Sequence, residues 1–253
     1  MSDRRIFRIG QIVPSSNTTM ETEVPAMLQL AAMPLSVGFS FHSSRAPMKT
    51  VARDELRAMN GHMLRCAREL TDARMDVIAS ACLVAIMCQG PGYHRETERS
   101  LSEVCREDAP EMAIVTSAGA LIEALKALGA NKIAIITPYM KSLTELVTGY
   151  IESEGIEVLD AISLEIPNNL DVGARDPLAL VETVKQLSTA NTDAVVLSAC
   201  VQMPSLAALD IVQQTLDVPV LSTAAATVFE ILRALKLPTE VPAAGDLLCG
   251  RHG

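Results

Sequence analysis

This 253-residue sequence carries none of the usual signatures for a metal, a nucleotide or a nucleic acid. Its six cysteines, at positions 66, 82, 88, 105, 200 and 249, form no C-x-x-C pair, and no histidine stands at zinc-finger spacing from them, so no metal site is expected. No G-x-G-x-x-G or Walker loop follows any strand-like segment, which leaves a nucleotide cofactor unsupported. Lys and Arg total 21 against 30 Asp and Glu, a net charge of −9. Phosphate backbones require clustered cations, so nucleic acid is excluded as a main partner. A small anion is not, because a cleft can be locally positive inside an acidic protein. No apolar run of about 18 residues is free of charge, so nothing is expected to span a membrane. Met1 to Arg8 is a short polar lead without an apolar core, so no secretory leader is expected and the default location is cytoplasmic. In that reducing compartment a disulfide framework is not expected. The thiols are then buried, reactive, or both.

What is present is an interior. Hydrophobic residues make up 49% of the chain and charged residues 20%, enough for one large or two small domains with a full core. Strand-like runs occupy Ile9 to Val13, Ser36 to Phe41, Val77 to Ala81, Ala113 to Thr116, Lys132 to Thr137, Val158 to Leu164, Ala194 to Ser198 and Val218 to Ser222. Helical patterns include Val51 to Asp72, Ala118 to Leu128, Lys141 to Ser153, Leu178 to Leu187, Leu206 to Leu216 and Ala224 to Leu235. The strands are continuously apolar rather than alternating, which predicts parallel strands covered on both faces in an α/β architecture.

The chain also repeats itself. Arg8-Ile-Gly-Gln-Ile-Val-Pro14 matches Lys132-Ile-Ala-Ile-Ile-Thr-Pro138. Asp76-Val-Ile-Ala-Ser-Ala-Cys82 matches Asp193-Ala-Val-Val-Leu-Ser-Ala-Cys200, and Ala113-Ile-Val-Thr-Ser-Ala118 matches Pro219-Val-Leu-Ser-Thr-Ala224. Three matches in one order predict two similar parallel-sheet, Rossmann-like or flavodoxin-like halves related by a pseudo-twofold axis. The expected division is residues 1–117 plus 223–253 around Cys82, and residues 118–222 around Cys200.

Ligands of open parallel sheets bind beyond the carboxyl ends of the strands, and both Ser-Ala-Cys triplets fall there. If the halves face one another, Cys82 and Cys200 share one cleft. A lone cysteine at a strand end is more often a buried packing residue, but packing does not require cysteine at both equivalent ends. Cys66, Cys88, Cys105 and Cys249 lack such mates and read as structural. The polar run Ser15 to Thr19 after Pro14, Tyr139 after Pro138, and Asn168-Asn169 lie on the same rim. Arg45 reads as a solvated loop arginine, and no histidine lies within a few residues of either thiol.

These residues together resemble the Asp/Glu racemase superfamily, and in detail its maleate cis-trans isomerase branch. Pro14-Ser-Ser-Asn17 with Thr18 and Glu21, the Cys82 strand, Pro138-Tyr139, Asn168-Asn169 and the Cys200 strand carry the resemblance, which extends from Ile9 to about Leu235. It implies that Cys82 is the nucleophile and Cys200 the acid and base, with Asn17, Tyr139 and Asn169 binding the substrate carboxylates and Val84 and Val201 forming walls beside the thiols. It also implies cis-trans isomerisation of maleate to fumarate with no cofactor, in a homodimer or larger homo-oligomer. Amino-acid racemases of this superfamily carry Cys-Asn-Thr and Cys-Thr-His at these places. Here Leu83-Val84 and Val201-Gln202 follow the cysteines. Arylmalonate decarboxylases keep only the second cysteine. An amino-acid racemase or epimerase using the same thiols is the nearest alternative, and a non-catalytic small-molecule binding module is a third reading. The covalent route requires Cys82 to be thiolate-like, through a pKa lowered by a helix N-terminus or nearby donors.

Overall fold

The computed structural model describes residues 5–252. Ser2, Asp3 and Arg4 of the polar lead lie outside the described residues. Among the described residues, eight strands form two four-stranded sheets in which every pairing is parallel. The first has order β2-β1-β3-β4, from β1 (Arg5–Pro14), β2 (Val37–Ala46), β3 (Val77–Ser80) and β4 (Ala113–Thr116). The second has order β6-β5-β7-β8, from β5 (Lys132–Thr137), β6 (Glu157–Ser163), β7 (Ala194–Ser198) and β8 (Val220–Ser222). The two orders are the same when the second sheet is counted from its own first strand. β1 and β2 run longer than the sequence pattern suggests, because they pair over ten consecutive positions.

Each sequence match has a physical cause. The aspartate that opens β3 or β7 clamps β1 or β5 at the point where the two strands begin to pair: the Asp76 carboxylate accepts from the Arg8 amide at 2.7 Å, and that of Asp193 from the Asn131 and Lys132 amides at 2.8 Å each. At the other end, the Ala81 amide donates to the Ile12 carbonyl at 2.8 Å and the Ala199 amide to Ile136 at 2.9 Å. These are the last rungs before each cysteine. In the third match, Thr116 and Ser222 are N-caps, accepting from the Gly119 and Ala225 amides at 3.0 and 3.2 Å. They satisfy otherwise unpaired first-turn amides of α5 (Ser117–Ala127) and α10 (Thr223–Ala234).

The remaining helices are α1 (Met20–Ala32), α2 (Arg53–Asp72), α3 (Leu83–Met87), α4 (Tyr93–Cys105), α6 (Lys141–Ser153), α7 (Asn169–Gly173), α8 (Ala179–Thr183) and α9 (Leu206–Gln213). The helical pattern at 178–187 is realised as α8 followed by one tighter turn at Val184–Gln186. Helix α10 packs on both α5 and α1, and one continuous apolar core runs through both sheets. Among the described residues no helix is long and apolar enough to cross a membrane.

Candidate active site

Both Ser-Ala-Cys triplets leave their sheets at equivalent points, but the two cysteines are not equivalent. Cys82 sits at φ 77° and ψ 70°, in the left-handed region. A side chain held there costs about 1–3 kcal/mol, a strain typical of residues that surrounding structure holds for a purpose. Cys200 is not among the positive-φ residues. Its sulfur accepts from the Gln202 amide at 3.3 Å, and the residue is buried while Cys82 is partly exposed.

One cavity is lined by all seven residues singled out from the sequence: Asn17, Cys82, Val84, Tyr139, Asn169, Cys200 and Val201. None of its lining side chains carries a formal charge, and the volume open to the centre of a water molecule is about 20 Å³. That is room for about one water. A second cavity of about 280 Å³ adjoins it, sharing Val51, Tyr139 and Asn169. The segment between β2 and α2 supplies Met48 and Val51 to the reactive cavity. This strap is fixed at one end by the Ser15 hydroxyl, which exchanges hydrogen bonds with the Met48 backbone at 3.0 and 3.1 Å. Farther along it crosses to the other half, where Thr50 forms an antiparallel bridge with Asn168.

The polar rim is held by its neighbours. Asn17 Oδ1 accepts from the Met20 amide at 3.0 Å, at the start of α1, which leaves the amide nitrogen as its donor. Asn169 Nδ2 donates to the Ser16 hydroxyl at 2.8 Å, linking the two halves. Asn168 is the N-cap of α7, accepting from Leu170, so the paired asparagines begin a helix rather than form a free turn. Arg45 departs from its sequence reading. It lies in β2, pairs with Glu21, and donates to the carbonyls of Ser15 and Asn17 at 3.3 and 2.6 Å. It buttresses the turn that presents Asn17.

Sequence reasoning missed Gln202 as a site residue. It is buried, lines the cavity and bonds to both asparagine-bearing segments. Its place two residues after Cys200 was the available signal.

The electrostatics correct the expectation of a thiolate-like Cys82. Although the residue as a whole is partly exposed, its thiol is enclosed, and that desolvation pushes its pKa up to about 12. The Ala85 amide opposes this, while nearby Cys200 adds to it. Burial also raises Cys200, against the Tyr139 hydroxyl and the Gln202 and Met203 amides, which favour its thiolate. Tyr139 is raised well above a free phenol by burial and by Cys200. Desolvation outweighs these donors because the cavity excludes solvent and holds no cation. Both thiols are therefore protonated at neutral pH. Among the described residues no cluster of His, Cys, Asp and Glu could hold a metal ion.

The sequence model of the family described as arylmalonate decarboxylase matches residues 9–248. A maleate isomerase of Geobacillus stearothermophilus is 57% identical over 97% of this chain and 98% of its own. The chain belongs to the maleate isomerase family. The maleate isomerase of Alcaligenes faecalis is 55% identical, again over 97% and 98% of the two chains. The solved structure of a Pseudomonas putida S16 maleate isomerase variant, with a cysteine changed to alanine, in complex with maleate superimposes with a TM-score of 0.96 at 51% identity, covering 98% of this chain and 99% of that one. A Nocardia farcinica maleate cis-trans isomerase variant with a cysteine changed to serine was solved with a covalently bound succinylcysteine intermediate. It is 44% identical, with a TM-score of 0.92 over 96% of this chain and 98% of its own. Arylmalonate decarboxylase itself is 21% identical with a TM-score of 0.71, a likeness of fold alone.

Proposed function

We infer that this chain isomerises maleate to fumarate through a covalent adduct on Cys82, with Cys200 carrying the proton. The observation that carries this reading is two thiols at equivalent strand ends in one cavity without formal charge, in a chain belonging to the maleate isomerases. The double bond of maleate must be lost before it can rotate. Cys82 passes its proton to the adjacent carboxylate of maleate as its sulfur adds to one olefinic carbon, and the π electrons move to the neighbouring carbon. The Cys200 thiol protonates that carbon, leaving a succinyl thioether on Cys82. After rotation about the new single bond, the Cys200 thiolate takes the proton back. The carbon–sulfur bond breaks, the leaving Cys82 sulfur recovers its proton from the carboxylate, and the double bond re-forms as trans. Reactants and products have the same oxidation state.

The donors fit this route. Asn17, Asn169 and Tyr139 offer N–H and O–H groups to the carboxylates, and aimed donors in a dry site stabilise developing charge by about 3 kcal/mol each. The strain at Cys82 and the Tyr139 hydroxyl beside Cys200 support dividing the roles in this order. An amino acid would bring an ammonium group, for which the cavity lining holds no carboxylate; this favours the dicarboxylate. We assign the halves to residues 1–117 plus 223–253 and residues 118–222, so that α10 packs on α1 within its own half and on α5 of the other. Because the cavity has room for about one water, substrate entry requires the strap or the halves to part and close again.

The test is to follow ultraviolet loss of maleate in purified protein with no added cofactor, with fumarate identified by proton magnetic resonance. Stoichiometric fumarate is expected. Maleate that persists unchanged contradicts the reading.

A further inference from the structure

Gln202 lies between the two halves at 3% exposure. Its side-chain oxygen accepts from the Thr18 and Thr19 amides at 3.0 and 3.4 Å. Its side-chain nitrogen donates to the Ser16 carbonyl at 3.1 Å and the Asn169 carbonyl at 2.9 Å. A carboxamide has two donor hydrogens and one acceptor oxygen with two lone pairs, so this side chain is fully satisfied. Its main chain adds a bond at each end. The carbonyl accepts from the Thr19 hydroxyl at 2.7 Å, and the amide donates to the Cys200 sulfur at 3.3 Å.

The first-half partners Ser16, Thr18 and Thr19 flank Asn17, while the second-half partner is Asn169 itself. A second observation is independent of these bonds. Gly173, at the end of α7, has no side chain where a Cβ would overlap the Gln202 amide nitrogen. Helix α7 is cut back to admit this one amide.

We propose that Gln202 is a positioning residue for the isomerisation: it sets the separation of Asn17 and Asn169 across the cleft, and their register to the Cys200 sulfur. This rests on the reading that those asparagines receive the substrate carboxylates. The carboxylates of maleate lie on the same side of the double bond, so the spacing of their two receivers is what matches a cis diacid. No other standard side chain reproduces the pattern. Leucine cannot bond, and a glutamate carboxylate turns an oxygen toward two carbonyl oxygens. A basic group places a charge in a cavity without any. Gln202 acts through the asparagines, not on the reacting carbons.

The experiment compares full-length Gln202→Ala, Gln202→Glu and Gly173→Ala with wild type on maleate, separating KM from kcat. Removing the amide leaves the main-chain bond to Cys200 in place. Gln202→Ala is therefore expected to raise KM about tenfold while kcat stays within about threefold. Gly173→Ala, which crowds the amide, should raise KM in the same direction. Gln202→Glu should match the alanine variant near pH 8 and recover toward wild type as pH falls, because a neutral carboxyl regains one O–H donor. A merely structural role would not produce that rescue. Folded Gln202→Ala with a wild-type KM, or a Gln202→Glu pH profile parallel to wild type, overturns the proposal. Should Gln202→Ala not fold, the other two variants decide. If wild type leaves maleate unchanged, the reading of the reaction fails separately. Calorimetric binding of succinate then decides the clamp: weaker binding by Gln202→Ala supports it, and equal binding overturns it.

Discussion

Glu23 caps a helix of the opposite half. From α1, its Oε1 accepts from the Ser205 amide at 2.7 Å, and from Leu206 at 2.7 Å, while Oε2 accepts from the Ser205 hydroxyl at 3.2 Å. Truncation would leave two amides at the start of α9 unpaired, so Glu23→Ala should cost about 2 kcal/mol in denaturant unfolding. Burial raises the native pKa of Glu23 above the ordinary 4.5 of a glutamate, against the opposing Leu206 and Ser205 bonds. The native state therefore holds the proton more tightly than the unfolded chain does. The stabilising contribution is complete below 4.5 and declines as pH rises through the native value. The deficit of Glu23→Ala should thus be larger near pH 4.5 than near pH 8. A deficit that grows with pH would contradict this.

The thiols make a second pH prediction. With Cys82 raised from 9.0 to about 12, its contribution to stability is intact below 9.0 and is lost as pH rises through 12. Cys82→Ser should flatten the alkaline loss of stability over that range. In the free enzyme, alkylation of Cys82 should be slower than that of a small-molecule thiol near pH 8 and should climb steadily with pH. A plateau near pH 7 would mean a stabilised thiolate.

Tyr139→Phe tests the donor beside Cys200. The residue is 4% exposed, so the ring packing is kept while the hydroxyl is lost. A fall in kcat of about 100-fold is expected for one aimed donor, with unfolding midpoint little changed. Activity within a few-fold of wild type would remove the Tyr139 hydroxyl from the donors that stabilise the developing charge.

Arg45→Met tests the buttress under Asn17. It removes the bonds to Glu21 and to the Ser15 and Asn17 carbonyls while preserving side-chain bulk. KM for maleate should rise about tenfold with a smaller change in kcat. An unchanged KM would return Arg45 to the role of a surface ion pair.

Much of this organisation was legible in sequence because its signals are local. Strands β3, β4, β5, β7 and β8 are short, mainly apolar segments, and β1, β2 and β6 show an apolar stretch within a longer strand that also carries polar residues. The duplication reported the Asp76 and Asp193 clamps, the last rungs at Ala81 and Ala199, and the caps at Thr116 and Ser222, and so brought Cys82 and Cys200 to one cavity. Helix α1 was hidden because it begins directly after a turn-like polar run and contains Pro25, a residue that ordinarily breaks a helix. Gln202 and Arg45 were hidden for another reason. They act on backbone atoms far away in sequence, such as the Ser16 carbonyl for Gln202, and leave no periodic trace. The raised thiol pKa values were equally hidden, since burial is produced jointly by both halves.

Site-resolved mass spectrometry of acid-quenched turnover tests the two-thiol account most directly. Wild type and Cys200→Ser should both yield an adduct of one maleate mass on the peptide containing Cys82, with turnover lost in Cys200→Ser and in Cys82→Ser. An adduct confined to the Cys200 peptide, or continued turnover in Cys82→Ser, would contradict the account.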